Sequence, residues 1–206
     1  MKSAADPAPT PTTSSHDRML EAAKQLFSRK GYENTSTIEV VRAAGTSESQ
    51  LIKHFASKEG LLESVFNQGW MAIGRGLKEL ESIRAPRKKL ETLIKVMVTA
   101  LNSDPSLKQL MMFEGRRIRK DGRLLLATEG FLTFVAKVDS ILQEMKASGQ
   151  LKQGINIQAA RSALMGAFEG LVRDQILAGE TDYPANYSDK DMLETFNHVL
   201  SGVLGG

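Results

Sequence analysis

From Ser15 onward, apolar residues recur with the 3.6-residue period of an α-helix, and this narrows the possible folds to one class. Met19, Ala22, Ala23, Leu26 and Phe27 form one stripe, and Gly31 after Arg29 and Lys30 marks its end, giving a first helix over 15–30. Leu62, Val65, Phe66, Ile73, Leu77 and Leu80 form a longer stripe, opened by Ser57-Lys58-Glu59 and stopped by Ala85-Pro86. With no proline inside, that helix is expected to run unbroken over about 58–83, weakened locally by Gly69, Gly74 and Gly76. A further stripe is Leu90, Leu93, Ile94, Met97 and Leu101; Asp104-Pro105 opens another with Leu107, Leu110, Met111 and Met112. Gly122 separates it from a long helix to about Met145, and two more are expected over about 156–178 and 189–204. Alternating β-branched runs bounded by turns are absent, so the fold is all-α, with about nine or ten helices.

Composition removes several functions. The 206 residues include no cysteine, which excludes a disulfide scaffold, a thiolate metal site and a cysteine nucleophile. His16, His54 and His198 are far apart, so neither a metal nor a cofactor is expected. No G-x-G-x-x-G, Walker A or G-x-S-x-G motif recommends catalysis. No apolar run approaches the ~20 residues of a membrane span. Residues 1–14 lack the apolar centre of a signal peptide and read as a disordered arm. A cytoplasmic chain with no membrane partner is the expectation.

The most distinctive unit lies within 36–54. Ser36-Thr37-Ile38-Glu39 is a capping box, in which the Ser36 hydroxyl accepts the Glu39 N–H and Glu39 reaches back to the Ser36 N–H. The helix it starts, about 37–44, is expected to turn Ile38, Val41 and Ala44 inward. Ser47-Glu48-Ser49-Gln50 reads as a second capping box, opening a helix over about 48–54 that buries Leu51 and Phe55. Ala43-Ala44-Gly45-Thr46 joins the two through a short glycine turn, which sets them at a steep angle as a helix-turn-helix.

Residues 16–66 resemble the N-terminal DNA-binding domain of TetR-family transcriptional regulators. The resemblance is carried by Leu20-Glu21-Ala22-Ala23, Leu26-Phe27, Gly31-Tyr32, Thr35-Ser36, Ala43-Ala44-Gly45-Thr46-Ser47, Leu51, His54-Phe55 and Ser57-Lys58-Glu59. It implies a helix-turn-helix domain over 15–66 that binds a double-stranded DNA operator, and an effector-binding and dimerisation domain of helices over 67–206. Carried over by position, Ser36 and Thr37 would start the helix crossing the phosphate backbone. Ser47, Glu48, Ser49, Gln50, Lys53 and His54 would lie on or near the recognition helix, with Lys58 at a phosphate. His54 could equally pack beside Phe55. Two positions depart from the family's pattern. Glu48 stands where a small polar or basic residue is usual, and Ile52 where an aromatic is usual. Glu48 repels phosphate but could accept from a cytosine amino group.

The second half offers candidates for the two remaining roles. Ala159, Ala163, Gly166, Ala167 and Gly170 place small side chains on one helix, suited to close packing against a second subunit in a homodimer. The helix around 125–145 is its expected partner in a four-helix bundle. Met97, Met111, Met112, Phe113, Phe131, Phe134, Met165 and Phe168 suit an adaptable cavity for an elongated hydrophobic effector. Arg116, Arg117 and Arg173 would give it a basic mouth, a combination that fits a fatty acyl-CoA.

Charge placement bears on both halves. The net charge is +3, yet residues 15–66 are neutral, 67–124 carry a net +7 and 125–206 a net −4. Positive charge therefore gathers in the presumed sensor and points to an anionic effector. A ligand-responsive repressor is the leading expectation. The alternative is a helical adaptor that docks protein through its basic residues at 116–123 and uses the helix-turn-helix for packing alone.

Overall fold

A computed structural model describes residues 14–119 and 122–203, which form nine α-helices and one 3-10 segment. The expected arm falls almost wholly on residues 1–13, outside the described residues.

The first three helices are α1 (Ser15–Lys30), α2 (Thr37–Ala43) and α3 (Glu48–Phe55). Each starts at a serine whose hydroxyl accepts a backbone N–H three residues on: Ser14 from Asp17, Ser36 from Glu39, Ser47 from Gln50. The Ser36 box is complete, because the Ser36 N–H also donates to Glu39 Oε2 at 2.8 Å. At Ser47 only the serine half forms, and the hydroxyl shares a 2.9 Å hydrogen bond with Ser49. Gly45 takes the turn with φ of +59°, a conformation that favours glycine. Arg18 ties the turn to α1 by donating to the Ala44 carbonyl at 2.9 Å. Within α2, Ile38 does not point inward; it is 52% exposed, while Val40, Val41 and Ala44 are buried. A seven-residue helix has fewer than two turns, so two registers fit its apolar pattern, and packing against α1 and α3 selects the one that buries Val40.

The connecting helix is shorter than the sequence suggests. α4 spans Lys58–Gly76 and then tightens into a 3-10 segment, Leu77–Ser82. At Gly76 a Cβ would lie 2.7 Å from Val96 Cγ1, so the chain reaches the following helix at glycine-only distance where the α-helix ends. Leu77 and Leu80 remain buried, so the inward stripe survives the change of helix type.

The bundle contains α5 (Pro86–Ser103), α6 (Pro105–Phe113), α7 (Glu129–Ala147), α8 (Ile157–Glu180) and α9 (Asp189–Val203). The long helix expected just beyond Gly122 begins at Glu129, where Thr128 caps it by accepting from the Phe131 N–H. The preceding chain folds back on itself, pairing Ile118 with Leu124 in an isolated antiparallel bridge. Buried side chains form one continuous core from Met19 to Leu200. α4 packs against α1 and α7, and α6 packs against α1, so the helix-turn-helix unit rests directly on the bundle.

Candidate functional site

Two sites emerge, one on the outer face of α3 and one inside the bundle. On α3, Leu51 and Phe55 are buried, which turns Glu48, Ser49, Ile52 and Lys53 to solvent together. Ile52 is 57% exposed at the centre of this face. Ser47 is exposed beside them and Gln50 is half-buried. The structure thus brings Ser47, Glu48, Ser49, Gln50 and Lys53 onto one accessible surface of helix-turn-helix form.

The remaining candidates have protein partners. Thr37 Oγ1 donates to Glu48 Oε1 at 3.1 Å, so Glu48 is held across the turn by α2. The Ser36 hydroxyl serves its cap and also donates to Glu39 Oε2 at 3.0 Å. Glu39 accepts from Lys30 at 2.6 Å and, with the cap bonds, its carboxyl is held down at about 2. His54 is exposed; its Nε2 lies 3.3 Å from Ser15 Oγ, and its ring stands edge-on to His16 at 5.5 Å. It faces α1, and Phe55 is only a tilted neighbour at 5.9 Å.

Lys58 sits 4.2 Å above the Tyr32 ring, and Arg117 approaches the same ring at 4.6 Å. Burial pushes the Lys58 ammonium down and the Tyr32 phenol up to about 12.

Inside the bundle, α4 to α9 and Leu126 surround an apolar cavity of about 50 Å³. Met97, Met111, Met112, Phe131, Phe134, Met165 and Phe168, all anticipated, line it. Phe113 does not; it is 43% exposed at the end of α6. The sequence reading missed Trp70, which stacks near Phe131 and Phe134 with ring centroids at 5.1 and 5.0 Å. It also missed Leu126, Phe196 and Glu169. Trp70 lies on the inward stripe between Phe66 and Ile73, and this period could have found it. Leu126 sits in an irregular segment where no period applies.

The three arginines do not line the cavity. Arg116 is ion-paired at 2.7 Å with Glu169, the one charged residue in the lining. Arg117 faces away, pairing with Glu114 and with Glu33 at 2.5 Å. Arg173 lies 3.1 Å from Asp174. Arg119 pairs with Glu63 on α4, and Lys89 with Glu144 at 2.6 Å. Carboxylates packed alongside thus neutralise much of the positive excess of the middle segment, and the basic mouth does not form at these arginines.

These same contacts join the two sites. Lys24 of α1 pairs at 2.6 Å with Asp104, the residue that caps α6. Ser106 donates to Gln25, and the Tyr32 N–H donates to Glu114 at 3.3 Å. α6 therefore carries cavity residues Met111 and Met112 on the same short helix that seats the helix-turn-helix unit.

On α8, Ala159, Ala163 and Gly166 are exposed, while Ala167 and Gly170 are half-buried. A Cβ at Gly166 would meet nothing within 4 Å. α7 packs against α4, α5 and α8, and α9 packs against α8 and α5. Both neighbours of α8 keep an exposed face, with Leu132 of α7 57% exposed and Val199 of α9 43% exposed.

No described helix is long and apolar enough to cross a membrane. Among the described residues, no group of three or more His, Cys, Asp or Glu could hold a metal.

Comparison with known proteins places this architecture. Residues 19–65 match the bacterial regulatory proteins of the tetR family, and residues 71–202 match the YsiA-like protein C-terminal region. The fatty acid metabolism regulator protein of Bacillus subtilis is 23% identical over 192 residues, spanning 92% of this chain and 93% of that protein. The fatty acid degradation regulator FadR of Bacillus halodurans superposes with a TM-score of 0.80 at 20% identity, covering 94% of this chain and 97% of that one. FadR of Bacillus subtilis, solved in complex with stearoyl-CoA, gives 0.78 at 22% identity over 93% and 98% of the two chains. A capped helix pair with an exposed recognition face, seated on a helical bundle with an apolar cavity, is therefore what it resembles: the chain belongs to the TetR family of transcriptional regulators.

Proposed function

We propose that this regulator is a homodimeric repressor released from its operator by a long-chain acyl-CoA. Residues 15–66 form the DNA-binding part and 67–206 the effector-binding and dimerisation part. The exposed face of α3 enters the major groove, with Ser47, Ser49, Gln50 and Lys53 reaching bases or phosphates and Glu48 reading a cytosine amino group. Ser36, Thr37, His54 and Lys58 support the backbone contacts. The exposed small residues of α8, with α9 beside them, form the dimer surface, which spaces two recognition helices for two half-sites.

The observation that carries the effector reading is the cavity itself, walled by methionine and aromatic side chains on helices that also seat the DNA-binding unit. Its present volume of about 50 Å³ is far below the roughly 300–1,000 Å³ of ordinary ligand sites. An acyl chain fits only after Met97, Met111, Met112 and Met165 repack, which flexible thioethers do at low cost. Ligand therefore favours an expanded bundle. Because Met111 and Met112 lie on α6, expansion moves the helix under Lys24, Gln25 and Tyr32 and respaces the recognition helices. The acyl-CoA need only bind the expanded state better than the compact one. The likeness to a regulator solved with stearoyl-CoA supports the choice of ligand.

A gel shift with the DNA upstream of the protein's own coding region, run at two salt concentrations with and without palmitoyl-CoA, tests this. A band at low salt that weakens with salt and disappears with palmitoyl-CoA is expected. No band at low salt would favour the adaptor reading.

A further inference from the structure

Trp70 is 5% exposed, and its indole Nε1–H has no hydrogen-bond partner among the described residues. A buried donor left unpaired is costly, and such groups in native proteins call for an explanation. Its position supplies one. Trp70 and Phe134 line the apolar cavity and also an open groove of about 600 Å³ on the outer side of the same wall, between α4 and α7. Among the described residues these two side chains are the only ones the two spaces share, so they form the partition between them.

The two helices are pinned at one end of the groove. A Cβ at Gly130 would lie 2.7 Å from Trp70 Cβ, and the Gly130 N–H donates to Asn67 Oδ1 at 3.3 Å. Beyond that contact the seam widens between Gly74, Leu77 and Lys78 on one side and Thr133, Lys137 and Ser140 on the other. Lys78 and Lys137 pair with no carboxylate among the described residues, unlike Arg116, Arg117 and Arg173. Glu129 and Glu81 also line the groove, Glu129 at the pinned end and Glu81 at the far end of the α4 side.

We propose that the α4–α7 seam is the effector's portal and head-group site, and that Trp70 donates its indole N–H to the carbonyl oxygen of an acyl ester or thioester crossing the partition. This rests on the acyl-CoA reading above and adds its polar anchor. The apolar chain occupies the cavity, the carbonyl meets the one orphan donor in its wall, and the anionic head lies outside between Lys78 and Lys137. The site thereby selects an acyl chain bearing a hydrogen-bond acceptor at its end over a plain hydrocarbon. It also places the head between α7 and the 3-10 segment that continues α4, the helix that follows α3.

The test pairs a protein change with a ligand change. Trp70 is the single tryptophan, so its emission should shift with palmitoyl-CoA at the midpoint seen by calorimetry. Trp70→Phe keeps an aromatic ring and removes the donor; it should weaken palmitoyl-CoA binding about tenfold. S-hexadecyl-CoA, a thioether without the carbonyl, should bind wild type and Trp70→Phe equally, both about tenfold more weakly than palmitoyl-CoA binds wild type. Lys78→Glu with Lys137→Glu should weaken palmitoyl-CoA and flatten its salt dependence. If Trp70→Phe weakens both ligands equally, the indole merely packs and the anchor is overturned. If the lysine exchanges change nothing, the groove is not the head-group site. Wild type failing to bind palmitoyl-CoA at all would overturn the acyl-CoA reading and the anchor together, a result distinct from tight binding with no coupling.

Discussion

The helix-turn-helix unit and the effector bundle solve packing in opposite ways. In α1 to α3, serine caps start every helix, Arg18 ties the turn, and Phe27, Val40 and Leu51 are at or near zero exposure. Local hydrogen bonds leave each element one position, and the core closes tightly around it. The bundle keeps an unfilled apolar space lined by adaptable side chains, and its wall includes an unpaired indole and a single carboxylate. One unit closes around its core and presents a surface; the other keeps an internal space lined by flexible side chains.

The largest expected effect tests that contrast in packing directly. Phe27→Ala should cost about 3–5 kcal/mol in chemical denaturation, since Phe27 is enclosed on all sides and packs against Tyr32. Met165→Ala, in the cavity wall and only partly buried, should stay near the low end of such substitutions at about 2 kcal/mol. Equal costs would mean that the bundle is as tightly filled as the DNA-binding unit.

Next in size is the junction. Arg117→Ala removes a guanidinium from Glu114, Glu33 and the Tyr32 ring, and should cost about 1–2 kcal/mol. It should also make the gel-shift band less sensitive to palmitoyl-CoA, because the bundle loses a grip on the loop between α1 and α2. Stability lost with an unchanged ligand response would separate the clasp from signalling.

Ser36→Ala should cost about 1 kcal/mol in thermal or chemical unfolding by removing the hydroxyl that accepts the Glu39 N–H, while the backbone N–H of residue 36 can still donate to Glu39. Ser47→Ala should cost less, because the Ser47 hydroxyl accepts the Gln50 N–H at a longer 3.4 Å, against 3.2 Å for the Ser36 cap.

The smallest effect is in pH. Glu39 has its carboxyl lowered from 4.5 to about 2, first by Lys30 and then by the Ser36 bonds. A lowered carboxyl stabilises the fold above the unfolded value, so this contribution is complete above pH 4.5 and fades as pH falls towards 2. Glu39→Gln should narrow its stability gap to wild type across that window when unfolding midpoints are compared, and a constant gap would remove Glu39 from acid sensitivity.

How much of this was legible depends on how local the cause is. α1, the α2–α3 pair and the starts of α5 and α6 were readable because caps, prolines and glycine stops act within a few residues. The close approach at Gly76 was not, since it depends on Val96, twenty residues away. Ile38 was misplaced because a helix of two turns does not define one apolar face. The methionines and phenylalanines of the cavity were found by residue type, whereas Trp70, Glu169 and Leu126 are brought to it by separate elements of the fold. The arginines were misassigned for a related reason. Sequence counts charges, but only packing shows that Glu169, Glu114 and Glu33 neutralise them.

Sequence alone determined the helical class, the capped helix-turn-helix and the family, because periodicity, capping and short-range spacing are properties of neighbouring residues. Tertiary structure alone decided where the cavity lies, which charges remain unpaired and that an indole N–H stands unsatisfied in the wall. Those are relations between residues far apart in the chain, and only the packing of helices at fixed distances creates them.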